Sequence, residues 1–367
     1  MRLTVPQADL LPALQSVSRS VGIRSTLPVL ANVLIQADDN QLVLSSTNLE
    51  IGVIKTLKAE ISEPGAVTIP AKTLVEVIAS LSGEIVTLEA SEAQIHISTK
   101  KFKASLNGIP ATEFPNIPLA SEGGISINPK VLQQALPEIT FAAASDDGRP
   151  ILTGILTQLK KSTLELVATD GFRLSHKTLP VDQTTDLDVL IPRRTFEEVV
   201  RLISEEKTDT TLEIATSEGQ NQIVFKIGDT QLSSRLIEGQ FPNWERIVPT
   251  TFESTATVDR SDLLKAVKLA SVFARDNSNI IRISCSSEGL TLTSEAKELG
   301  GQETQIEATV EGKDLTVAFN SRFLIESLSS CPGDQVVIQF SGSLSPALIK
   351  PIKEAGLEYV IMPVRLA

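Results

Sequence analysis

Two histidines and two cysteines are the side chains in this sequence best suited to nucleophilic, acid–base or metal chemistry. His96 lies inside an alternating, strand-like segment and His176 follows a predicted hairpin, so both are interpreted as packed or surface histidines. Cys285 and Cys331 are far apart and lack Cys-x-x-Cys spacing. Too few ligands are present for an ordinary zinc site, and the cysteine pattern favours a reducing compartment.

Adjacent aspartates occur at Asp38–Asp39 and Asp146–Asp147, where the neighbouring residues predict turns. Carboxylates that share a proton normally come from separate elements, so these pairs are not interpreted as acid–base catalysts. The sequence also lacks the glycine-rich phosphate cradles G-x-x-x-x-G-K-S/T and G-x-G-x-x-G at the start of a helix. It therefore predicts no catalytic residue, no metal site, no cofactor and no enzymatic activity.

The elements that would carry any functional residue repeat along the chain at an interval of about 120 residues. The clearest marker is a strand that leads directly into a helix. It occurs at Val67–Leu74, Val189–Phe196 and, more loosely, Val317–Leu324. A second marker, Leu42–Asn48, matches Leu164–Asp170 in the same phase. Ordered markers in one phase predict three similar domains. Their predicted bounds are 1–124, 125–252 and 253–367.

Each repeat opens with a strand and an amphipathic helix, whose apolar residues recur every three or four positions. Leu10, Leu14, Val17 and Val21 show this pattern in the first repeat. Alternating strands and a second helix follow, which predicts an α+β fold of antiparallel sheets. Because short helices cannot cover both faces of such sheets, the helices are expected on one side.

The chain is acidic as a whole, but one set of recurring positions is basic. The 367 residues carry a net charge of −12, and aromatic residues make up 4%. These values disfavour a lectin, a single-strand binder and a protein that coats nucleic acid with its whole surface. The second helix of each repeat nevertheless begins with a cation, Lys72, Arg194 or Arg322, and Arg193 precedes one of them. Cations at a helix start oppose the helix dipole, so their recurrence predicts a basic surface that contacts phosphates.

Three motifs stand out beside the repeat. They are Ala168–Leu174 (Ala-Thr-Asp-Gly-Phe-Arg-Leu), Phe241–Pro249 and Tyr359–Leu366. Together with the repeat, they resemble the bacterial β sliding clamp family of DNA polymerase III. The resemblance spans the chain and implies three repeated DNA-clamp domains in a head-to-tail homodimer, with helices lining a ring around duplex DNA and antiparallel sheets outside. It also implies a non-catalytic processivity factor, which is expected in the cytoplasm.

The same resemblance implies a groove between the second and third domains that takes short peptides, usually with a Gln and following hydrophobic residues. These peptides are expected from the DNA polymerase III catalytic subunit, the clamp loader, other polymerases and repair proteins. Phe172 stands where some members have His, and Pro346 where a small polar residue is expected. The implied groove residues are Leu152, Thr169, Gly171, Phe172, Arg173, Leu174, Pro242, Arg246, Ile247, Val360, Met362 and Pro363. The DNA-facing candidates are Arg24, Lys72, Arg149, Arg193, Arg194, Arg246 and Arg322. The candidates for the dimer interface are Leu106, Val272 and Phe273.

Two other functions stay open from the residues alone. One is an enzyme with a site at the domain junctions, which a titratable pair converging near His176 would favour. The other is a static repeat scaffold that binds proteins but not DNA. No apolar run approaches the length of a transmembrane helix, so no membrane partner is expected.

Overall fold

The chain forms two compact units in a computed structural model. The first unit contains Met1–Val131 and Glu198–Leu236, and the second contains Leu132–Glu197 and Ile237–Ala367. The predicted domain bounds stay predictions, and residues 120–123, just before the first predicted boundary, lie outside the described residues. The structure describes residues 1–22, 27–119, 124–146, 148–183, 185–206, 210–217, 221–296 and 300–365.

Helices and antiparallel strands make up the regular structure of the described residues. The helices are α1 (Gln7–Ser18), α2 (Ala71–Ala79), α3 (Pro129–Thr140), α4 (Arg193–Glu205), α5 (Arg260–Ala274) and α6 (Ser321–Ser330). The first seventeen strands are β1 (Arg2–Pro6), β2 (Asn32–Asp38), β3 (Gln41–Thr47), β4 (Ile51–Lys58), β5 (Glu60–Glu63), β6 (Gly65–Pro70), β7 (Ile85–Ser91), β8 (Gln94–Ser98), β9 (Lys103–Asn107), β10 (Ile125–Ile127), β11 (Gly154–Lys160), β12 (Thr163–Thr169), β13 (Arg173–Pro180), β14 (Leu187–Pro192), β15 (Leu212–Thr216), β16 (Gln222–Ile227) and β17 (Thr230–Arg235). The others are β18 (Ser254–Asp259), β19 (Ile280–Ser286), β20 (Gly289–Ala296), β21 (Gly300–Ile306), β22 (Ala308–Gly312), β23 (Leu315–Asn320), β24 (Gln335–Phe340), β25 (Ala347–Pro351) and β26 (Leu357–Ile361).

One four-stranded antiparallel motif occurs in each repeat. Its strand order is β4-β3-β2-β6 in the first repeat, β13-β12-β11-β14 in the second and β21-β20-β19-β23 in the third. In β19 every second residue is buried, as expected for a sheet with one covered face. The recurrence of this motif confirms the repeated α+β architecture.

The second helix of each repeat begins directly after the last strand of this motif. Helix α2 follows β6, α4 follows β14 and α6 follows β23. Lys72, Arg194 and Arg322 each occupy the second helical position, as the repeat predicts. Asn320 caps α6, because its side-chain oxygen accepts a hydrogen bond from the Arg322 N–H at 3.0 Å.

The first helix of each repeat carries a buried apolar face. In α1 this face includes Leu10 and Val17, as predicted. Val21 was expected to continue the face, but the helix ends at Ser18 and Val21 lies beyond it. The chain tightens there into a turn, in which the N–H of Ser20 donates to the carbonyl of Val17 at 3.1 Å.

Within each unit, the four-stranded motif of one repeat pairs with strands of the next repeat. In the first unit β4 pairs with β17, and an eight-stranded sheet results. In the second unit β13 pairs with β26, and a nine-stranded sheet results. Two sheets contain strands of a single repeat among the strands that the structure describes. They are the five-stranded sheet β5-β1-β7-β8-β9 and the four-stranded motif of the third repeat. The β13–β26 pairing places the C-terminal strand beside the Thr-Asp-Gly hairpin.

None of the helices that the structure describes has the length and apolar character needed to cross a membrane.

Candidate functional site

The turn between β12 and β13 is built by an Asp–Gly pair. Gly171 has φ +90°, a left-handed conformation that glycine adopts without a Cβ clash. The Asp170 carboxylate accepts hydrogen bonds from the N–H groups of Phe172 at 2.9 Å and Arg173 at 3.0 Å. Thr169 donates from its hydroxyl to the carbonyl of Arg173 at 2.6 Å. The predicted hairpin is confirmed, and its turn presents Phe172 to solvent.

The C-terminal strand β26 lies beside this hairpin. Val360 is the cross-strand partner of Leu174. Beyond the end of the strand, the N–H of Met362 donates to the carbonyl of Phe172 at 2.9 Å. This register brings Met362 and Pro363 to the same end of the sheet as the hairpin turn.

A buried apolar cluster, here called the groove floor, joins the hairpin, β26 and the turn at Trp244–Arg246. Its buried members are Val167, Leu174, Trp244, Leu348 and Val360. The partly buried residues packed against it are Leu156, Phe241, Ile247, Val248 and Phe252. Burial of these apolar side chains fixes the three elements relative to one another. The cluster brings together the sequence-predicted residues Leu174, Ile247 and Val360.

The sequence-predicted groove residues divide by burial. Leu152, Thr169, Leu174 and Val360 are buried, so they support the surface from within the protein. The accessible residues, here called the rim, are Gly171, Phe172, Arg173, Pro242, Arg246, Ile247, Met362 and Pro363. The role of both sets in peptide binding stays a prediction.

Arg173 belongs to the rim by position, but its guanidinium is engaged within the protein. It pairs with Asp170 at 3.1 Å and with Glu326, and it donates to the carbonyl of Phe141 at 2.7 Å. It also lies 5.2 Å from the ring centroid of Phe141 and 4.8 Å from that of Phe323. These contacts give Arg173 a positioning role at the base of the hairpin.

His176 connects β12, β13 and β26 next to the groove floor. Its Nδ1 lies 2.9 Å from Glu358 and its Nε2 lies 2.9 Å from Glu165, while its ring centroid is 4.3 Å from that of Trp244. The hydrogen bond from His176 is the main cause that lowers the pKa of Glu358 to about 2, and Lys350, at 2.9 Å, acts in the same direction against desolvation.

A titratable pair therefore does converge on His176, as the enzyme alternative requires. However, a carboxylate occupies each ring nitrogen, and the His176 side chain is only 12% exposed. General acid–base catalysis needs a nitrogen within hydrogen-bond reach of a substrate. The arrangement instead ties three neighbouring strands together.

The cations predicted to contact phosphates lie on helix starts. Lys72, Arg194 and Arg322 are exposed. Arg193 is partly exposed and pairs with Glu197, one turn along α4, at 2.6 Å. This carboxylate offsets the unfavourable position of Arg193 in the helix dipole.

The remaining DNA-facing candidates lie in loops. Arg149 is exposed, and its Nη2 donates to the carbonyl of Asp170 at 2.9 Å, which brings Arg149 to the β12–β13 hairpin. Arg246 is exposed at the end of the turn next to the groove floor. Arg24 lies outside the described residues.

The predicted interface residues lie on an edge strand and on one helix. Leu106 is partly exposed on β9, at the edge of the five-stranded sheet. Val272 is exposed and Phe273 partly exposed on α5. Leu269, one turn earlier on α5, is also exposed and was missed from the sequence. Exposed apolar side chains on one helix are suited to a protein interface.

Sequence reasoning also missed two apolar residues near the predicted groove. Phe323, on α6, stacks on Phe172 with ring centroids 6.2 Å apart and planes 18° apart. Leu344, in the loop between β24 and β25, is 65% exposed. The pairing of Ala347 with Ile361 places this loop at the same end of the sheet as the hairpin turn. The sequence signal for Leu344 was an apolar residue within a Ser-Gly-Ser-Leu-Ser loop. No signal in the sequence pointed to Phe323.

Three family models match consecutive segments of the chain. The DNA polymerase III beta subunit N-terminal domain matches residues 1–118, the central domain matches 126–243 and the C-terminal domain matches 245–365. The chain belongs to the DNA polymerase III beta subunit family.

Individual members of the family match along their whole length. The chain is 33% identical to the beta sliding clamp of Synechococcus elongatus, with 100% of each chain covered. The solved DNA polymerase sliding clamp of Bacillus subtilis has a TM-score of 0.96 at 25% identity, again with 100% of each chain covered. A Pseudomonas aeruginosa sliding clamp bound to griselimycin has a TM-score of 0.94 at 29% identity and the same coverage. These matches confirm the predicted family and fold.

Membership of the family identifies this protein as a DNA sliding clamp, the non-catalytic processivity subunit of DNA polymerase III in DNA replication. A ring-shaped homodimer that binds DNA, the polymerase and other proteins is typical of this family. The prediction of a non-catalytic clamp is confirmed, and the carboxylates around His176 serve the fold of the clamp.

Proposed function

We propose that this clamp recruits its partners through the groove formed by the β12–β13 hairpin, β26 and the Trp244–Arg246 turn. The observation that carries the proposal is the buried groove floor, which supports an accessible rim that includes Phe172, Pro242, Ile247 and Met362. An apolar groove with few polar anchors suits a short peptide with apolar side chains. The proposed sources of such peptides are the DNA polymerase III catalytic subunit, the clamp loader, other polymerases and repair proteins.

We propose that encircled duplex DNA is contacted by cations at the starts of α2, α4 and α6, without base reading. The support is an exposed cation at the second position of each helix, at Lys72, Arg194 and Arg322. Phosphate contacts carry no sequence information. Because the chain has a net charge of −12, it offers few other contacts to phosphates, so DNA is held weakly enough to slide. Arg24, Arg149 and Arg193 complete the proposed set. A protein with this role in bacterial replication acts in the cytoplasm.

The pairing of strands within one chain supports a specific way of closing the dimer. The third strand of one motif, β4 or β13, pairs with the last strand of the following repeat, β17 or β26. By the same rule, β21 of the third repeat pairs with β9 of the first repeat. Both strands lie at sheet edges among the described residues, and an exposed edge is a template for pairing with another chain. We therefore propose that β9 and β21 pair between two copies.

The side chains near these edges support the same interface. Lys103 is exposed on β9 and Glu303 is exposed on β21, so the two edges carry opposite charges. Leu106 on β9 and Val272–Phe273 on α5 supply apolar side chains for the contact. The two contacts between copies are head-to-tail, and the ring closes after two copies.

The groove proposal is tested with methyl NMR, because the chain has only two methionines. A chain labelled with ¹³C at the methionine methyl groups is titrated with synthetic hexapeptides that begin Gln-Leu and continue with apolar residues. The Met362 resonance, assigned with M362L, is expected to shift with a saturable dependence on peptide concentration, while the Met1 resonance stays fixed. A Met362 resonance that stays fixed at millimolar peptide would contradict the groove.

The interface proposal is tested by solution mass and particle images of the same sample. We expect a dimer with a central hole of about 20 Å or more, wide enough for duplex DNA. F273D is expected to give monomers, and K130D, which changes the charge of the exposed Lys130 at the start of α3, serves as the control. A wild-type monomer at micromolar concentration, or an unchanged dimer for F273D, would contradict the proposed interface.

A further inference from the structure

His176 lies on the face of the sheet that carries the groove floor. In the paired register it stands opposite Val167 on β12 and Glu358 on β26, and Leu174 lies two residues earlier on the same strand. Side chains two residues apart in a strand point to the same face, so His176 shares its face with Val167 and Leu174 of the floor. The Trp244 ring packs against the imidazole, at a centroid distance of 4.3 Å and an interplanar angle of 42°. A titratable ring is therefore packed into an apolar support.

The protonation state of His176 decides how many of its contacts can form. Its Nδ1 lies 2.9 Å from an oxygen of Glu358, and its Nε2 lies 2.9 Å from an oxygen of Glu165. Ionised carboxylates only accept hydrogen bonds, and a neutral imidazole has a single N–H. The imidazolium, with two N–H groups, can donate to both carboxylates at once. A neutral ring would turn a nitrogen lone pair towards one carboxylate, and that contact would become repulsive.

The charges around the ring balance when His176 is protonated. The groups that face it from neighbouring strands carry one positive and two negative charges. They are Lys350 on β25, Glu165 on β12 and Glu358 on β26. The turn that contributes Trp244 places its charged residues, Glu245 and Arg246, in exposed positions. A neutral ring therefore leaves one uncompensated negative charge, which water screens incompletely because the His176 side chain is only 12% exposed.

Trp244 connects this cluster to the accessible rim. It begins the turn Trp244–Arg246, and its carbonyl accepts a hydrogen bond from the Ile247 N–H at 2.9 Å. Ile247 packs against the groove floor and is accessible in the rim. When the imidazole and a carboxylate repel each other, the ring has to shift against Trp244, and the turn that leads to Ile247 shifts with it. Closely packed side chains transmit such displacements.

We infer that His176 is a positioning residue of the peptide groove, which holds Trp244 and its turn in the binding geometry while the imidazole is protonated. Histidine changes charge near neutral pH, so the clamp binds partner peptides more tightly below neutral pH than above it. The inference rests on the proposed peptide groove and adds a regulation of that site by pH. His176 acts from beneath the surface, through Trp244.

The test measures peptide affinity as a function of pH. The probes are hexapeptides that begin Gln-Leu, contain no titratable side chain, end in an amide and carry rhodamine at the N-terminus. Neither the peptide nor this dye changes charge between pH 6 and pH 9, and binding to the full chain is followed by anisotropy. The wild-type clamp is expected to lose affinity by about tenfold between pH 6 and pH 9, a usual size for a coupling between two sites.

Two variants separate the charge of His176 from its shape. H176Q removes the titratable ring, so its affinity should be low and constant over this pH range. In E165Q the glutamine amide can accept a hydrogen bond from the imidazolium or donate one to the neutral ring, and the excess negative charge is absent. E165Q should therefore bind at pH 9 as tightly as the wild type binds at pH 6. A purely structural role of His176 would give no such rescue, and E165Q decides alone if H176Q does not fold.

H96Q and E311Q are the matched controls. His96, the other histidine of the chain, is exposed on β8 of the first unit, and Glu311 is exposed on β22. Both variants should keep the tenfold change. A wild-type affinity that is constant between pH 6 and pH 9, or a pH dependence that survives in H176Q or in E165Q, would overturn the inference while the groove proposal stands. Absence of binding at every pH would instead remove the groove proposal and this inference with it.

Discussion

Replacing Glu358 by Gln tests how much the ion pairs around His176 stabilise the second unit. Glu358 lies on β26, and its side chain is 17% exposed. Its carboxylate meets His176 and Lys350 at 2.9 Å each. The amide of E358Q keeps the size of the side chain but lacks the negative charge, so the variant removes the electrostatic part of both contacts.

The expected loss follows from the pKa of Glu358, which folding lowers from 4.5 to about 2. Each pKa unit corresponds to about 1.4 kcal/mol, so the ionised carboxylate stabilises the folded unit by about 3 kcal/mol. Because the folded-state pKa is lowered, this stability is fully present above pH 4.5 and is lost as the pH falls towards 2. The difference between wild type and E358Q should therefore be about 3 kcal/mol at pH 6 and about half of that at pH 3.

The single tryptophan of the chain makes the measurement local. Trp244 lies 4.3 Å from the His176 ring, so its fluorescence reports urea unfolding of this part of the clamp. E311Q is the matched control, because Glu311 is exposed on β22 of the same sheet. It should change the free energy of unfolding by less than about 0.5 kcal/mol.

Two results would refute this reasoning. The first is an equal destabilisation of E358Q at pH 6 and pH 3, which would mean that shape rather than charge is responsible. The second is a destabilisation at pH 6 that does not exceed that of E311Q.

Two further predictions concern the backbone and the first unit. G171A should destabilise the hairpin by about 1–3 kcal/mol through its positive φ, and it should weaken peptide binding because Gly171 belongs to the rim. G333A has a similar φ in open space and should leave peptide binding unchanged. Urea unfolding measures the first effect, and titration with the Gln-Leu hexapeptides measures the second. R201A should destabilise the first unit by about 3 kcal/mol, because Arg201 pairs with two glutamates of α4 and donates to the Ser16 carbonyl at 3.3 Å. Hydrogen exchange in α1 and α4 should then increase, and protection equal to wild type would contradict this role.

Local features of the fold follow directly from the sequence. The positions of Lys72, Arg194 and Arg322 were predicted because a strand, a helix start and a cation recur in the same order. The hairpin at Asp170–Gly171 was predicted because an Asp-Gly pair between two strand-like runs is a hairpin signal, and the structure adds the left-handed conformation of Gly171. Both predictions depend on neighbours within a few residues, where chain geometry limits the alternatives.

Contacts across the sheet could not be predicted in this way. His176 and Glu358 meet because β13 and β26 pair in one register, and a slip of one residue would turn their side chains to opposite faces. Nothing local in either strand specifies that register. The family resemblance supplied Leu174 and Ile247 together, but only packing shows that Leu174 belongs to the floor and Ile247 to the rim.

The repeated pairing of a third strand with a last strand has a consequence for how the clamp responds to concentration. The β4–β17 and β13–β26 joints lie within one polypeptide, where the linked segments keep a high effective concentration for each other. The proposed β9–β21 joint lies between two copies and obeys mass action. Dilution therefore separates the clamp at that joint while the internal joints stay formed. Architecturally similar joints thus divide into two that a single chain keeps formed and, in the proposed dimer, a pair whose formation depends on the concentration of the clamp.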